Sequence, residues 1–99
     1  MATAPQIRTF FHSQVNSDSP AKAAEAGDNW TTFPLSFFYS AEDSVDLAVK
    51  STMLFVLQLD HAELSDQQFT DLGNAIDGKT IVSDAIDTMA TFSAKAQPV

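Results

Sequence analysis

The residues from Ser40 to His61 constrain the fold of this chain more than any other stretch. They read S-A-E-D-S-V-D-L-A-V-K-S-T-M-L-F-V-L-Q-L-D-H, and the middle of the stretch is apolar on almost every side. Steps of three and four residues give one apolar stripe, which is typical of an amphipathic helix: Val45, Ala48, Val49, Thr52, Phe55, Val56 and Leu59. Leu47, Leu54 and Leu57 fall roughly opposite, at about 100° per residue. We predict a central helix at about residues 41–61, covered on two sides.

A helix-start signal supports this interpretation. Ser40 is a suitable N-cap, and Glu42 and Asp43 oppose the positive end of the helix dipole. The alternative is a strand through Thr52–Leu59, because M-L-F-V-L is short and partly β-favouring. The length of the stretch and its capping signal favour the helix.

The composition limits the class of protein. A chain of 99 residues with 44% hydrophobic residues makes one domain, and the lack of cysteine excludes disulfides and thiolate metal sites. The net charge of −8 argues against direct binding to nucleic acid or anionic membranes. No signal-peptide pattern and no apolar run of membrane-spanning length is found, so we expect a cytoplasmic protein.

A second helix is expected to follow the first in antiparallel orientation. Ser65, with Gln68 three residues later, repeats the helix-start signal. Apolar residues then recur at helical spacing, which predicts one long helix at about residues 66–94. A break near Asp77-Gly78 is the alternative, because each glycine weakens a helix by about 1 kcal/mol. Residues 96–99 are expected to form a frayed tail.

The N-terminal part of the chain is predicted to be irregular. Loose alternation suggests a short strand at Ile7–Val15, and the Ser/Ala/Asp-rich residues 16–29 have the composition of a linker. Residues 1–29 are therefore expected to be flexible. The segment Trp30–Tyr39 alternates with period two, which predicts an extended segment packed on the second side of the central helix.

These elements suggest an assembly. A helical hairpin at residues 30–95 buries only one side of each helix, and pairing two hairpins in a homodimer would complete a four-helix bundle. The residues expected at the dimer or partner interface are Leu47, Leu54, Leu57, Trp30, Phe33, Leu35 and Phe37.

The layout also resembles a family of small bacterial proteins of unknown function. The resemblance covers about Phe33–Asp87, with Pro34-Leu35 before the aromatic residues and G-K-T-I-V-S-D-A from Gly78 in the second helix. The family pattern is a P-L-F-x-V segment, one helix, and a second helix with K-A-L-V-x-D. Ser36 stands where an aromatic residue is usual, and the glycine common before the first helix is absent. The resemblance implies the helical hairpin and no particular activity.

Two groups of residues are candidate sites. Gly73–Thr80 reads G-N-A-I-D-G-K-T and satisfies the phosphate-loop pattern G-x-x-x-x-G-K-[ST], but no strand is predicted before it, and a coincidental match inside a helix is favoured. Asp60, His61 and Glu63 could offer two metal ligands, yet no second cluster supplies the rest. No nucleophile-elbow motif is present. We therefore expect no catalytic residues, no metal and no cofactor.

The sequence favours a non-enzymatic, homodimeric interaction or regulatory protein that binds an unidentified protein. An alternative is an acidic inhibitor that mimics nucleic acid, because ten of the thirteen acids lie between Glu42 and Asp87. Nucleotide binding through Gly73–Thr80 is a third possibility.

Overall fold

A computed structural model describes residues 1–99, which form six α-helices joined by short connections. The helices are α1 (Ala4–Asp18), α2 (Pro20–Ala26), α3 (Leu35–Phe38), α4 (Glu42–Leu59), α5 (Asp66–Ala75) and α6 (Val82–Lys95). A 3₁₀-helix spans Gly27–Thr32, and two short strands, β1 (Ala62–Glu63) and β2 (Gln97–Pro98), pair antiparallel. The protein is therefore mainly α-helical.

The central helix is present as α4, and one face of it is buried. Its cap is Ala41 and not the predicted Ser40, while Glu42 and Asp43 occupy the first turn as expected. The buried side chains of α4 are Val45, Ala48, Val49, Thr52, Met53, Val56 and Leu57. The buried face of α4 differs from the predicted apolar stripe. Phe55 and Leu59, which were expected to be buried, are exposed, and Leu57, which was expected on the opposite side, is buried.

The N-terminal residues form a helix, and the strand predicted at Ile7–Val15 is wrong. Thr3 caps α1 with a capping box to Gln6, which satisfies two of the free amides at the helix start. Ile7, Phe11 and Val15 recur every four residues and are fully buried, which is the spacing of one helix face. The residues expected to be a linker contain α2 and the 3₁₀-helix.

The extended segment predicted at Trp30–Tyr39 is also wrong, except around Pro34. Phe33 and Pro34 are extended, and Pro34 forms an isolated β-bridge with Ile81. The Leu35 amide donates to the Thr80 carbonyl at 2.9 Å. The chain then turns directly into α3, so most of the aromatic segment is helical.

The long second helix is broken, as the alternative anticipated. Ser65 and Gln68 form the predicted capping box of α5, but α5 ends at Ala75 and α6 begins only at Val82. Between them, Asp77 Oδ1 accepts hydrogen bonds from the amides of Lys79 and Thr80, at 2.8 and 3.1 Å. This local bonding competes with helix continuation and explains the break.

The helices pack around one core of 24 buried residues, drawn from both sides of residue 29. Helix α4 contacts α1, α5 and α6. The C-terminal residues expected to be a frayed tail pair with β1 and close the far end of α4. Three sides of the central helix are thus covered by the chain itself, and one side is left open.

Candidate interaction surface

The open side of α4 carries four large apolar side chains, which we call the α4 ridge: Leu47, Leu54, Phe55 and Leu59. They are 68%, 58%, 50% and 56% exposed, respectively. Leu47 and Leu54 lie on one line of the helix and Phe55 and Leu59 on a neighbouring line, with the polar residues Ser51 and Gln58 between them. Four large exposed apolar side chains on one helix are typical of an interaction site.

The ridge is also free of negative charge. No acid lies between Leu47 and Leu59, although the whole chain carries thirteen. The one charged residue in this interval, Lys50, forms an ion pair with Asp46 at 3.1 Å on the same helix. Acidic residues lie beside the ridge: Asp18 lines a hollow that includes Leu47, and Glu63 lines the hollow that includes Leu54.

Two hollows flank the ridge. The one toward α5 has a volume of about 450 Å³, and its apolar lining includes Leu54, Leu57, Leu64 and Phe69. The hollow toward α1 is smaller, about 180 Å³, and is lined in part by Phe10, Ser51 and Phe55. The rings of Phe10 and Phe55 meet edge to face at 5.0 Å, which fixes Phe55 in place.

The structure divides the residues predicted at the interface into three groups. Leu47 and Leu54 are exposed on the ridge. Leu57, Trp30 and Leu35 are 3%, 4% and 0% exposed, so the chain's own core already covers them. Phe33 and Phe37 are half-buried and pack on each other at 4.6 Å, away from the ridge.

The ridge gains two residues that the sequence pattern had assigned to the core, Phe55 and Leu59. The helical spacing shows that α4 is apolar on more than one side, but the positions of α1, α5 and α6 decide which side stays open. No signal within residues 41–61 alone could have identified them.

The phosphate-loop motif does not have the geometry of a phosphate site. Gly73 lies within α5 and does not follow a strand directly, because the two-residue strand β1 ends before α5 begins. The Lys79 and Thr80 amides, which would contact phosphate, donate instead to the Asp77 carboxylate. The match lies across a helix end and a turn, and not inside one helix as expected.

The residues considered as metal ligands have other contacts. Asp60 lies 3.4 Å from the N-terminal ammonium group, and His61 ends α4 with a left-handed φ of 50°. The His61 carbonyl accepts the Val99 amide at 2.8 Å. No group of three His, Asp or Glu side chains is arranged to hold a metal ion.

A buried hydroxyl lies near the start of α4. Tyr39 is 5% exposed, and its hydroxyl is the one fully buried side-chain polar atom without a hydrogen-bond partner. Burial raises the pKa of this hydroxyl above its ordinary value, and the neighbouring Asp18 carboxylate raises the pKa further. The hydroxyl therefore stays protonated in the folded chain throughout the neutral pH range.

None of the helices combines the length and apolarity that a membrane crossing requires. Comparison of the chain with protein-family models, with curated proteins and with solved structures finds no match. A functional proposal must therefore be based on the fold and the site. The fold is that of a small, mainly α-helical protein, and the site is the open apolar face of α4.

Proposed function

We propose that this protein is a non-enzymatic interaction module that forms a homodimer through the α4 ridge and presents the dimer to a protein partner. The observation that carries the proposal is the ridge itself, whose four apolar side chains are each at least half exposed in the single chain. The absence of acids between Leu47 and Leu59 supports a second copy as the occupant, because two chains of net charge −8 repel each other less along this part of α4 than where carboxylates face one another. We place the protein in the cytoplasm.

The exposed strip of α4 is too small to form a stable interface by itself. Helix α4 has 18 residues, so its exposed strip is about 27 Å long and about 10 Å wide, on the order of 300 Å². A stable interface covers about 800 Å² on each partner. The flanking surfaces of α1 and α5, including the two hollows, must therefore contribute as well.

The shape of the surface supports two-fold pairing. A dimer with two-fold symmetry uses the same patch on both copies, so the patch must be complementary to itself. The α4 ridge lies between two hollows, and helix pairs pack by placing the ridge of one helix into the groove beside the other. Each copy would contribute α4 together with the adjoining surfaces of α1 and α5.

Disulfide trapping tests this arrangement, because the chain has no native cysteine. Ser51 lies on α4 between the ridge leucines, and a disulfide requires Cα atoms within about 7 Å. We expect Ser51→Cys to form a covalent dimer rapidly under mild oxidation. The matched control is Ser83→Cys, which is exposed on α6.

Equal cross-linking rates for the two variants would contradict pairing through the ridge. The rates are to be measured by non-reducing electrophoresis over time at one protein concentration. Addition of urea, which unfolds the chain, should abolish the difference between them.

A second function is favoured by a separate observation. Three of the thirteen carboxylates form ion pairs, and ten do not. A surface with so many unpaired acids suits a basic partner, as in a protein that mimics nucleic acid. In that case, binding to a DNA-binding protein should weaken steeply as salt rises, whereas binding through an apolar face should depend little on salt.

A further inference from the structure

A polar groove on this protein contains none of the α4 ridge residues and is not part of the proposed dimer interface. It lies between one face of α1 and the 3₁₀-helix, and its lining includes Arg8, Thr9, His12, Ala23, Asp28 and Trp30. Its volume is about 700 Å³. Small-molecule sites in proteins have volumes of about 300–1,000 Å³, with a few polar groups that converge on the ligand.

Arg8 is the free cation of this groove. It is the only arginine of the chain, and its guanidinium lies 5.9 Å from the centre of the Trp30 ring. It forms no ion pair and no side-chain hydrogen bond, although the chain carries thirteen acids. A guanidinium near the face of an aromatic ring keeps its N–H donors available to an anion.

Trp30 gives the groove a rigid wall. Its ring is stacked on His12 at 4.7 Å and parallel to Phe11 at 6.4 Å, and the residue is 4% exposed. Burial and these aromatic contacts hold the indole ring in one position beside Arg8.

The other polar groups narrow the choice of ligand. The Thr9 hydroxyl donates to the Pro5 carbonyl at 3.2 Å, so it does not compete for an anion as a donor. Asp28, on the opposite wall, opposes a dianion more than a monoanion, as does the net charge of −8. A planar guanidinium fork matches the two oxygens of a carboxylate.

We propose that the groove binds a small organic molecule with a single carboxylate, held by the Arg8 guanidinium beside the Trp30 ring. The apolar part of the ligand lies along Pro5 and Ala23, which also line the groove. The groove contains no residue of the α4 ridge, so the test of ligand binding does not depend on whether the protein forms the dimer.

The intrinsic fluorescence of Trp30 tests the proposal directly, because Trp30 is the only tryptophan. The full chain is titrated with benzoate at constant ionic strength, and with neutral benzamide and inorganic phosphate in parallel. We expect a saturable change with benzoate and none with benzamide. A saturable change with phosphate that is tighter than that with benzoate would overturn the choice of a carboxylate.

Substitution of Arg8 distinguishes binding at a charged site from a nonspecific effect of the ligand on Trp30 fluorescence. A hydrogen bond to a charged group contributes about 1.5–3 kcal/mol, so Arg8→Gln should weaken benzoate binding by about 10- to 100-fold. Arg8→Lys, which keeps the charge but not the fork, should weaken it less. The matched control is Lys95→Gln, which removes a cation that lies over Phe92 on α6.

Two results would overturn the proposal. One is a benzoate affinity that is the same in Arg8→Gln and in the unaltered chain. The other is the absence of any saturable change with benzoate, either in fluorescence or in isothermal titration calorimetry.

Discussion

Replacement of Phe11 by alanine tests whether the N-terminal helix is part of the core. Phe11 is fully buried, lies parallel to Trp30 at 6.4 Å and meets Tyr39 edge to face at 6.5 Å. Removing a buried Phe side chain costs about 3–5 kcal/mol. The whole domain is expected to be stable by about 5–15 kcal/mol, so this single change would remove a large part of that free energy.

The measurement is urea unfolding followed by far-UV circular dichroism, which does not depend on the environment of Trp30. With a slope of about 2 kcal/mol per molar urea, the midpoint should fall by about 2 M. The matched control is Phe55→Ala on α4, where the ring is 50% exposed and the loss should be about 1 kcal/mol. If Phe11→Ala cost less than Phe55→Ala, α1 would not be docked as described.

Three further outcomes follow from the packing and the caps. Leu57→Ala should lower the free energy of unfolding by about 2–5 kcal/mol, whereas Leu47→Ala should change it by less than about 0.5 kcal/mol at the lowest usable protein concentration. Similar losses in urea unfolding would show that the open face of α4 is misplaced. Ser65→Ala should cost about 1 kcal/mol, because it removes the cap of α5, and Ser65→Gly should cost only a few tenths. Because the pKa of Tyr39 is raised in the folded chain, the free energy of unfolding should fall as the pH rises above 10, where the unfolded chain loses the proton first. Tyr39→Phe should remove that part of the pH dependence without loss of stability at neutral pH, and an unchanged dependence would contradict the assignment.

Local sequence signals were sufficient to predict α4 and α5. The capping box of Ser65 and Gln68 was visible in the sequence and is present in α5. The stretch that became α4 was long, acidic at its start and strongly apolar, and these features outweighed the competing strand interpretation of Thr52–Leu59. These features depend on neighbours in sequence, which is why the sequence alone was sufficient.

The N-terminal helix was missed although it carries the same kind of signal. Thr3 and Gln6 form a capping box, Pro5 occupies the first turn, and Ile7, Phe11 and Val15 recur every four residues. The apolar residues from Ile7 to Val15 were interpreted as a loose alternation, which suggested a strand. The spacing of four, taken with the cap, would have favoured the helix.

The break between α5 and α6 depends on local bonding and on one contact distant in sequence, whereas the open face of α4 depends on distant contacts. The turn after Ala75 is held by the Asp77 carboxylate and by the Ser36 amide, which donates to the Gly78 carbonyl at 2.7 Å. Which side of α4 stays open is decided by the helices that cover the other three sides. Helical periodicity predicts how wide the apolar face of a helix is. It does not predict which part of that face another helix will cover.

The central claim is that the α4 ridge pairs two copies of this chain, and sedimentation equilibrium tests it most directly. We expect the unaltered protein to sediment with twice the 10.7 kDa mass of the chain at high micromolar concentration. Leu54→Glu, which places a charge on the ridge, should sediment as a single chain, and Ile81→Glu, a change at an exposed residue away from α4, should not. A single-chain mass for the unaltered protein throughout this concentration range would contradict the account.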